Sequence, residues 1–343
     1  MRRLFAALVA IALVAIGLPV MARQADAPQA NATQKSRAQA LLKFQHDLVS
    51  VLALRAEARP LMGAALLARP LQDPGKGLSY HRLIQRALNA GDAGPATQWA
   101  ALADCDAKAG NCPNAAALKA LEGDDADNAA VWMLATGVHA RDGDRKGMRA
   151  MLHRAAQASR YDDYTGRSLQ ALADAVMTLP VPKSVLANGQ PRAGAQVMIV
   201  YGLGQTQPLP GFSMIAQLCE SDQDRAKVKD DCLQLGHILE WGSHPLARSL
   251  GLHLVATLSD KPDTGSEAAT QRRDLVWQVQ QFGKLSARAA NDAKVANKLL
   301  ALARHGGTQM SVMLAALHAF DIPQNAPADW KEPDQPRATP SHS

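Results

Sequence analysis

An all-α protein is the expectation from three features of this chain. Ala and Leu dominate it, aromatic residues make up only 4%, and β-branched runs are scarce, a mix that favours helix over sheet. Apolar residues recur at i, i+3, i+4 and i+7 through much of the sequence, the stripe of an amphipathic helix. Segments of roughly 10 to 20 residues, divided by short Gly, Pro and Asp turns, follow one another from about Ser36 to Phe320. Each such face needs a neighbour to cover it, so stacked antiparallel helix pairs are expected.

At the N-terminus, Met1, Arg2 and Arg3 form a positive end and Leu4 to Val20 is an almost unbroken apolar run. Val20-Met21-Ala22 then places small side chains three and one residues before a cut. This is the layout of a secretory signal, so residues 1–22 are read as a signal peptide and the location as periplasmic. Kept uncleaved, the run would be a membrane anchor; once it is removed, no later stretch is long and apolar enough to span a bilayer, and no stable membrane insertion is expected. Cleavage takes the formal charge from +6 to +4. An excess this small, spread along the chain, is not the dense basic stripe of a nucleic-acid binder.

Residues 23–35 read as a polar linker and 36–178 as an N-terminal helical half. Pro180, Pro182, Asn188-Gly189 and Pro191 crowd the stretch 179–192, a break expected to divide that half from a second one at 193–320. A further irregular stretch is expected from Tyr201 to Gly211. Ser213 then reads as the N-cap of a helix carrying Ile215, Leu218 and Cys219. Another helix is expected to end at Gly242, with His244 in the turn that follows. Leu246, Leu250, Leu254 and Leu258 mark the next, and Leu275, Val279 and Phe282 one more. Val295, Leu299 and Leu302 form a helix closed by Gly306-Gly307, and Thr308 caps the last, with Met310, Met313, Leu314 and Leu317 as its stripe. Residues 321–343 read as a Pro-rich disordered tail that Trp330 is suited to pin.

Four cysteines allow three pairings. Local bridges, Cys105 with Cys112 and Cys219 with Cys232, are the simplest choice in an oxidising compartment. By loop-closure entropy they would stabilise by about 2.5 and about 3 kcal/mol. The spacings C-x6-C and C-x12-C lack the tight knuckles of zinc modules, so staples are preferred to a metal site.

From Asn128 to Ala156 the chain resembles one tetratricopeptide-like unit. Trp132 stands at the opening aromatic, Gly143-Asp144 at the inter-helix turn, and Leu152 and Ala155 at packing positions of the second helix. Ala135-Thr136, His139, Met148 and Arg160 depart from that family's pattern. The whole chain is also similar to a set of uncharacterised exported helical proteins of Gram-negative bacteria. That likeness rests on the second Cys pair followed by Pro245 to Leu252, and on Arg304-His305-Gly306-Gly307 through Trp330. It implies a tetratricopeptide-like α-solenoid and an exported location, and no activity.

The candidates for chemistry have plainer readings. His237, Glu240 and His244 would share a face only on a helix that Gly242 and Pro245 interrupt. Gly211-Phe212-Ser213 lacks the closing glycine and the strand of a nucleophile elbow. Gly75-Lys76-Gly77 is too short for a phosphate loop. Asp124, Asp125 and Asp127 lack the alternation and the glutamate of a calcium loop and are read as bias for the next helix N-terminus. Arg141, Arg145, Lys146 and Arg149 form a candidate basic face for an acidic partner. The expected function is therefore a protein or peptide interaction module with no cofactor. The alternatives are a cell-envelope hydrolase with an unrecognised site, for which Glu240 and His237 are the residues to test, or a membrane-tethered structural protein if the signal is retained.

Overall fold

A computed structural model describes residues 27–332 apart from 74, 76 and 222–224. The stretch 1–22, read from the sequence as a signal peptide, lies outside the described residues, as does the end of the expected tail from 333. Among the described residues the chain is all-α, with fifteen α-helices and no strand. They are α1 (Ala27–Leu52), α2 (Ala58–Ala68), α3 (Tyr80–Leu88), α4 (Pro95–Ala101), α5 (Ala115–Asp124), α6 (Ala129–Arg141), α7 (Arg145–Gln157) and α8 (Thr165–Val176). A 3-10 turn at Lys183–Val185 precedes α9 (Arg192–Gly204), α10 (Phe212–Glu220), α11 (Arg225–Leu239), α12 (Pro245–Leu258), α13 (Pro262–Ala289), α14 (Ala293–His305) and α15 (Gln309–Ala319).

Local chemistry accounts for most of the boundaries. Side chains of Ser79, Asn114, Asn128, Asp144, Asp292 and Thr308 accept from backbone N–H groups in the first turns of their helices, satisfying donors that have no partner within the helix. Proline opens α4, α12 and α13, where its fixed φ fits and its missing N–H costs nothing. Gly306, at φ +83°, closes α14 as the glycine pair predicts.

The packing departs from a simple array. Helices α2 to α7 lean each on the next, α7 then packs on α11, and α11 to α14 follow in order; α14 meets α8 and α9, and α8 returns to α2. The succession bends back on itself around α8, which also touches α1, α4, α9 and α15. Ten of the twelve residues of α8 are buried. Leu169 and Leu172, both fully buried there, contribute on the order of 2 kcal/mol each. Small residues allow the approach: a Cβ on Gly63 of α2 would stand 2.8 Å from the carbonyl oxygen of Ala171 on α8. One apolar core runs from Phe44 to Leu317 across the 179–192 break, so the proline cluster there shapes a connection without separating two cores.

Five boundaries differ from the sequence expectation. Tyr201 to Gly204, expected to be irregular, complete α9, and the helix expected to end at Gly242 ends at Leu239, with turns before Pro245 opens α12. Helix α1 begins at Ala27, inside the stretch read as a linker. The cap of α10 is Gly211, and Ser213 lies within its first turn; the Pro208-Leu209-Pro210 approach sets the helix start, with Phe212 N–H donating to the Pro210 carbonyl. Residues 323–330, read from composition as tail, lie along α13. Trp277 Nε1 donates to the Pro323 carbonyl (2.8 Å), Ala326 N–H to Asp274 Oδ1 (2.8 Å) and Arg273 Nη2 to the Trp330 carbonyl (2.8 Å). Trp330 meets Trp277 edge-on at 5.7 Å.

Candidate functional site

Both local disulfides are present, Cys105–Cys112 and Cys219–Cys232. Arg141, expected in a basic face, is committed to the first of them: its Nη1 donates to the carbonyls of Gly110 (3.0 Å) and Cys112 and fastens the loop to α6. Arg145 and Arg149 each take part in interactions of their own, and Lys146 is exposed. Arg154, from the same helix, stacks on the Trp132 ring at 4.7 Å. Arg141 and Arg154 are thus committed to separate contacts within the fold. The cleft beside the first disulfide, about 820 Å³, is lined by both signs of charge, Asp104, Asp106 and Glu122 against Lys119 and Arg141.

The histidine candidates are also separated. His237 Nδ1 lies 3.4 Å from Glu240 at the end of α11, and the carbonyl of Glu240 accepts from Arg248 Nε (2.8 Å). His253 pairs with Glu220. His81 pairs with Asp104 at 2.9 Å, while the hydroxyl of Ser79 nearby is used to cap α3. Among the described residues no group of three or more His, Cys, Asp or Glu side chains is placed to hold a metal ion.

His244 has a structural task. It is buried, and its Nδ1 accepts the N–H of Leu246 (3.0 Å), capping α12, so this nitrogen carries no proton. Burial holds the imidazole pKa below its ordinary 6.5, against a smaller opposing pull from the Asp163 carboxylate. In the unfolded chain the ring takes a proton from about pH 6.5 downward while the folded ring resists it. Stability from this residue is therefore complete above about pH 6.5 and falls below it, by at most about 1.4 kcal/mol per pH unit. Burial raises the pKa of Asp162 in the same cluster, and protonation there acts in the opposite sense at the acidic end. Urea titrations at pH 7.5 and 5.5 are expected to show a loss of stability in the wild type and a smaller one in His244→Asn, which keeps a capping side chain but has no proton to gain.

Around His244 lies a polar cluster that the sequence did not expose. Asp125 pairs with Arg160 and accepts from Asn128 Nδ2 (2.8 Å) and from the Tyr164 hydroxyl (3.1 Å). Asn128 also bonds both the N–H (2.9 Å) and the carbonyl (2.7 Å) of Asp162. Asp163 Oδ1 accepts from Thr165 N–H (3.1 Å) in the first turn of α8, Ser243 N–H donates to the Tyr161 carbonyl (3.2 Å), and Met310 N–H donates to the Ser243 carbonyl (3.0 Å). The starts of α6, α8, α12 and α15 are thereby tied together, with carboxylates where helix dipoles favour them. Tyr164 sits at φ +54°, a left-handed conformation unfavourable for a bulky residue, held there by its hydroxyl and by Asp162 Oδ1 on its N–H (2.9 Å). Asp125, Asn128, Asp163 and Tyr161 are all buried, so the cluster is a closed junction of the fold.

The surface feature best shaped for a ligand is a groove between α1 and α9, of about 630 Å³, within the usual range for binding sites of about 300–1,000 Å³. Leu41, Ala38, Ala195, Ile199 and Leu203 form an apolar floor, and Met198, 57% exposed, stands over it. Gln34, Gln45, Gln190 and Asn291 supply amides, Arg37 supplies the one charge, and no acidic residue lines the groove. Gln34, Arg37, Leu41 and Gln45 share one face of α1 by helical spacing. Sequence reading passed over this site because its walls come from 34–45, 185–203 and 290–291, and because the beginning of α1 reads as a linker. No family model, no curated protein and no solved structure matches this chain.

Proposed function

We propose that this chain is an exported, periplasmic interaction module without chemistry of its own, which holds a peptide or protein segment in the groove between α1 and α9. The apolar start with its small-residue cleavage site supports export, and two formed disulfides are compatible with an oxidising compartment. No helix among the described residues is long and apolar enough to cross a membrane. The stacking of α2 to α7, each on the next, supports a tetratricopeptide-like reading of the α6–α7 unit within a curved helical array.

The observation that carries the functional reading is the groove itself: an apolar floor takes side chains, and the amides of Gln34, Gln45 and Asn291 in its wall suit the donors and acceptors of an extended backbone. A photo-crosslinking amino acid at position 198, in cells that make the protein naturally, tests it. Discrete protein or peptide adducts from position 198, and none from exposed position 150 on α7, are expected. Adducts of equal pattern from both positions would contradict the reading. In the same preparation, mass spectrometry is expected to find Arg23 as the first residue; an intact Met1 would favour the tethered alternative.

A further inference from the structure

We infer that the groove between α1 and α9 selects a carboxylate-bearing apolar peptide, and that Arg37 is the residue that reads the carboxylate. This names the ligand class of the site proposed above and rests on that proposal. Arg37 is half-buried, its Nε is shielded from solvent, and that nitrogen has no hydrogen-bond partner; no acidic side chain among the described residues pairs with the guanidinium. The Nη nitrogens of Arg37 are not shielded in this way, so an incoming carboxylate meets them and gains a charge-assisted bond to the one charge in the groove wall. The groove wall adds no competing charge, since none of its residues is acidic.

The remainder of the wall decides what carries the carboxylate. Leu41, Ile199, Leu203 and Met198 offer aliphatic and thioether surface with no aromatic ring, suited to branched aliphatic side chains. Gln34, Gln45, Gln190 and Asn291 are spread along the groove, and amides repeated in this way suit successive peptide groups better than the single head group of a fatty acid. Gln190 is engaged at both ends of its amide, Oε1 accepting from Ala187 N–H (3.0 Å) and Nε2 donating to Met198 Sδ (3.4 Å), so it shapes the wall while Gln34, Gln45 and Asn291 supply the remaining amides. The carboxylate can come from a chain end or from an Asp or Glu side chain, and the chemistry at Arg37 is the same for both.

The test is fluorescence anisotropy on the mature chain with N-terminally labelled Ala-Val-Leu-Leu as the free acid, as the C-terminal amide, and as an amide with Glu in place of the last Leu. Gly202 lines the groove and is exposed, and a Cβ there would have no heavy atom within 4 Å, so Gly202→Trp places its ring in the groove from a position outside the core. The free acid is expected to bind at least about tenfold tighter than the plain amide. Arg37→Gln is expected to abolish the preference for the acid over the amide, and Gly202→Trp to weaken all three peptides by at least about tenfold with an unchanged circular dichroism spectrum. Tight binding of the Glu amide assigns the carboxylate to a side chain, and its weak binding assigns it to a chain end. Equal binding of acid and amide by the wild type, or a preference that survives Arg37→Gln, overturns the carboxylate inference and leaves the peptide reading standing if Gly202→Trp still blocks. Failure of every peptide to bind, indifference to Gly202→Trp, or displacement of the peptide by laurate at lower concentration than by unlabelled peptide overturns both.

Discussion

Replacing Arg160 with alanine is expected to lower the unfolding free energy by about 3 kcal/mol, because it leaves the carboxylate of Asp125 buried without its cation. Asp125 is only 2% exposed, so water cannot take the place of the guanidinium. The Arg160 side chain is itself 39% exposed, which keeps the figure at the lower end of the range for broken buried pairs. The loss is expected to reach beyond one contact. Arg160 lies in the segment that joins the starts of α6 and α8, where its carbonyl accepts the N–H of Ala129 and Asn128 bridges to Asp162. Adding Asp125→Asn to Arg160→Ala is expected to recover about 1 kcal/mol or more, since the amide oxygen still accepts from Tyr164 and no charge remains unpaired. Urea denaturation with an unchanged m-value checks both. A single-variant loss under about 0.5 kcal/mol, the level of an ordinary surface change, would show that the junction does not hold the fold together.

The two disulfides are expected to behave differently. Cys219 and Cys232 are wholly buried between α10 and α11, whereas Cys105 and Cys112 are half-buried and flank the exposed residues 106–111. Thiol–disulfide exchange requires access of an attacking thiolate to a sulfur. Dithiothreitol under native conditions, followed by alkylation and mass spectrometry, is therefore expected to label Cys105 and Cys112 and to spare Cys219 and Cys232. The paired substitution Cys219→Ala and Cys232→Ala is expected to cost about 3 kcal/mol, and Cys105→Ala with Cys112→Ala about 2.5 kcal/mol. Simultaneous labelling of all four would contradict the burial of the second bridge.

The helices were legible because their signals are local. Thr308 caps α15 and Met310, Met313 and Leu317 are buried on it, and Gly306 ends α14 with left-handed backbone. Trp330 is packed on the helix of Trp277 as its isolated indole suggested. What was not legible depends on partners far apart in the chain. The periodicity around Leu169 says that α8 has an apolar face, but not that helices from both ends of the chain cover it. Asp125 reads as one more acid before a helix until Arg160 and Tyr164, 35 and 39 residues later, are brought to it. Arg141 reads as part of a basic row, and only the folded loop shows the carbonyls of Gly110 and Cys112 that claim it. The groove was hidden for the same reason, with the added obstacle that Gln34 and Arg37 stand in a polar stretch resembling a linker.

Amide hydrogen exchange on residues 23–343, with and without saturating Ala-Val-Leu-Leu free acid, tests the central claim most directly. Slowed exchange confined to residues 34–45 and 187–203, where α1 and α9 face each other across the groove, is the expected result. Slowing centred on residues 104–122 beside the first disulfide, or unchanged exchange throughout, would contradict it.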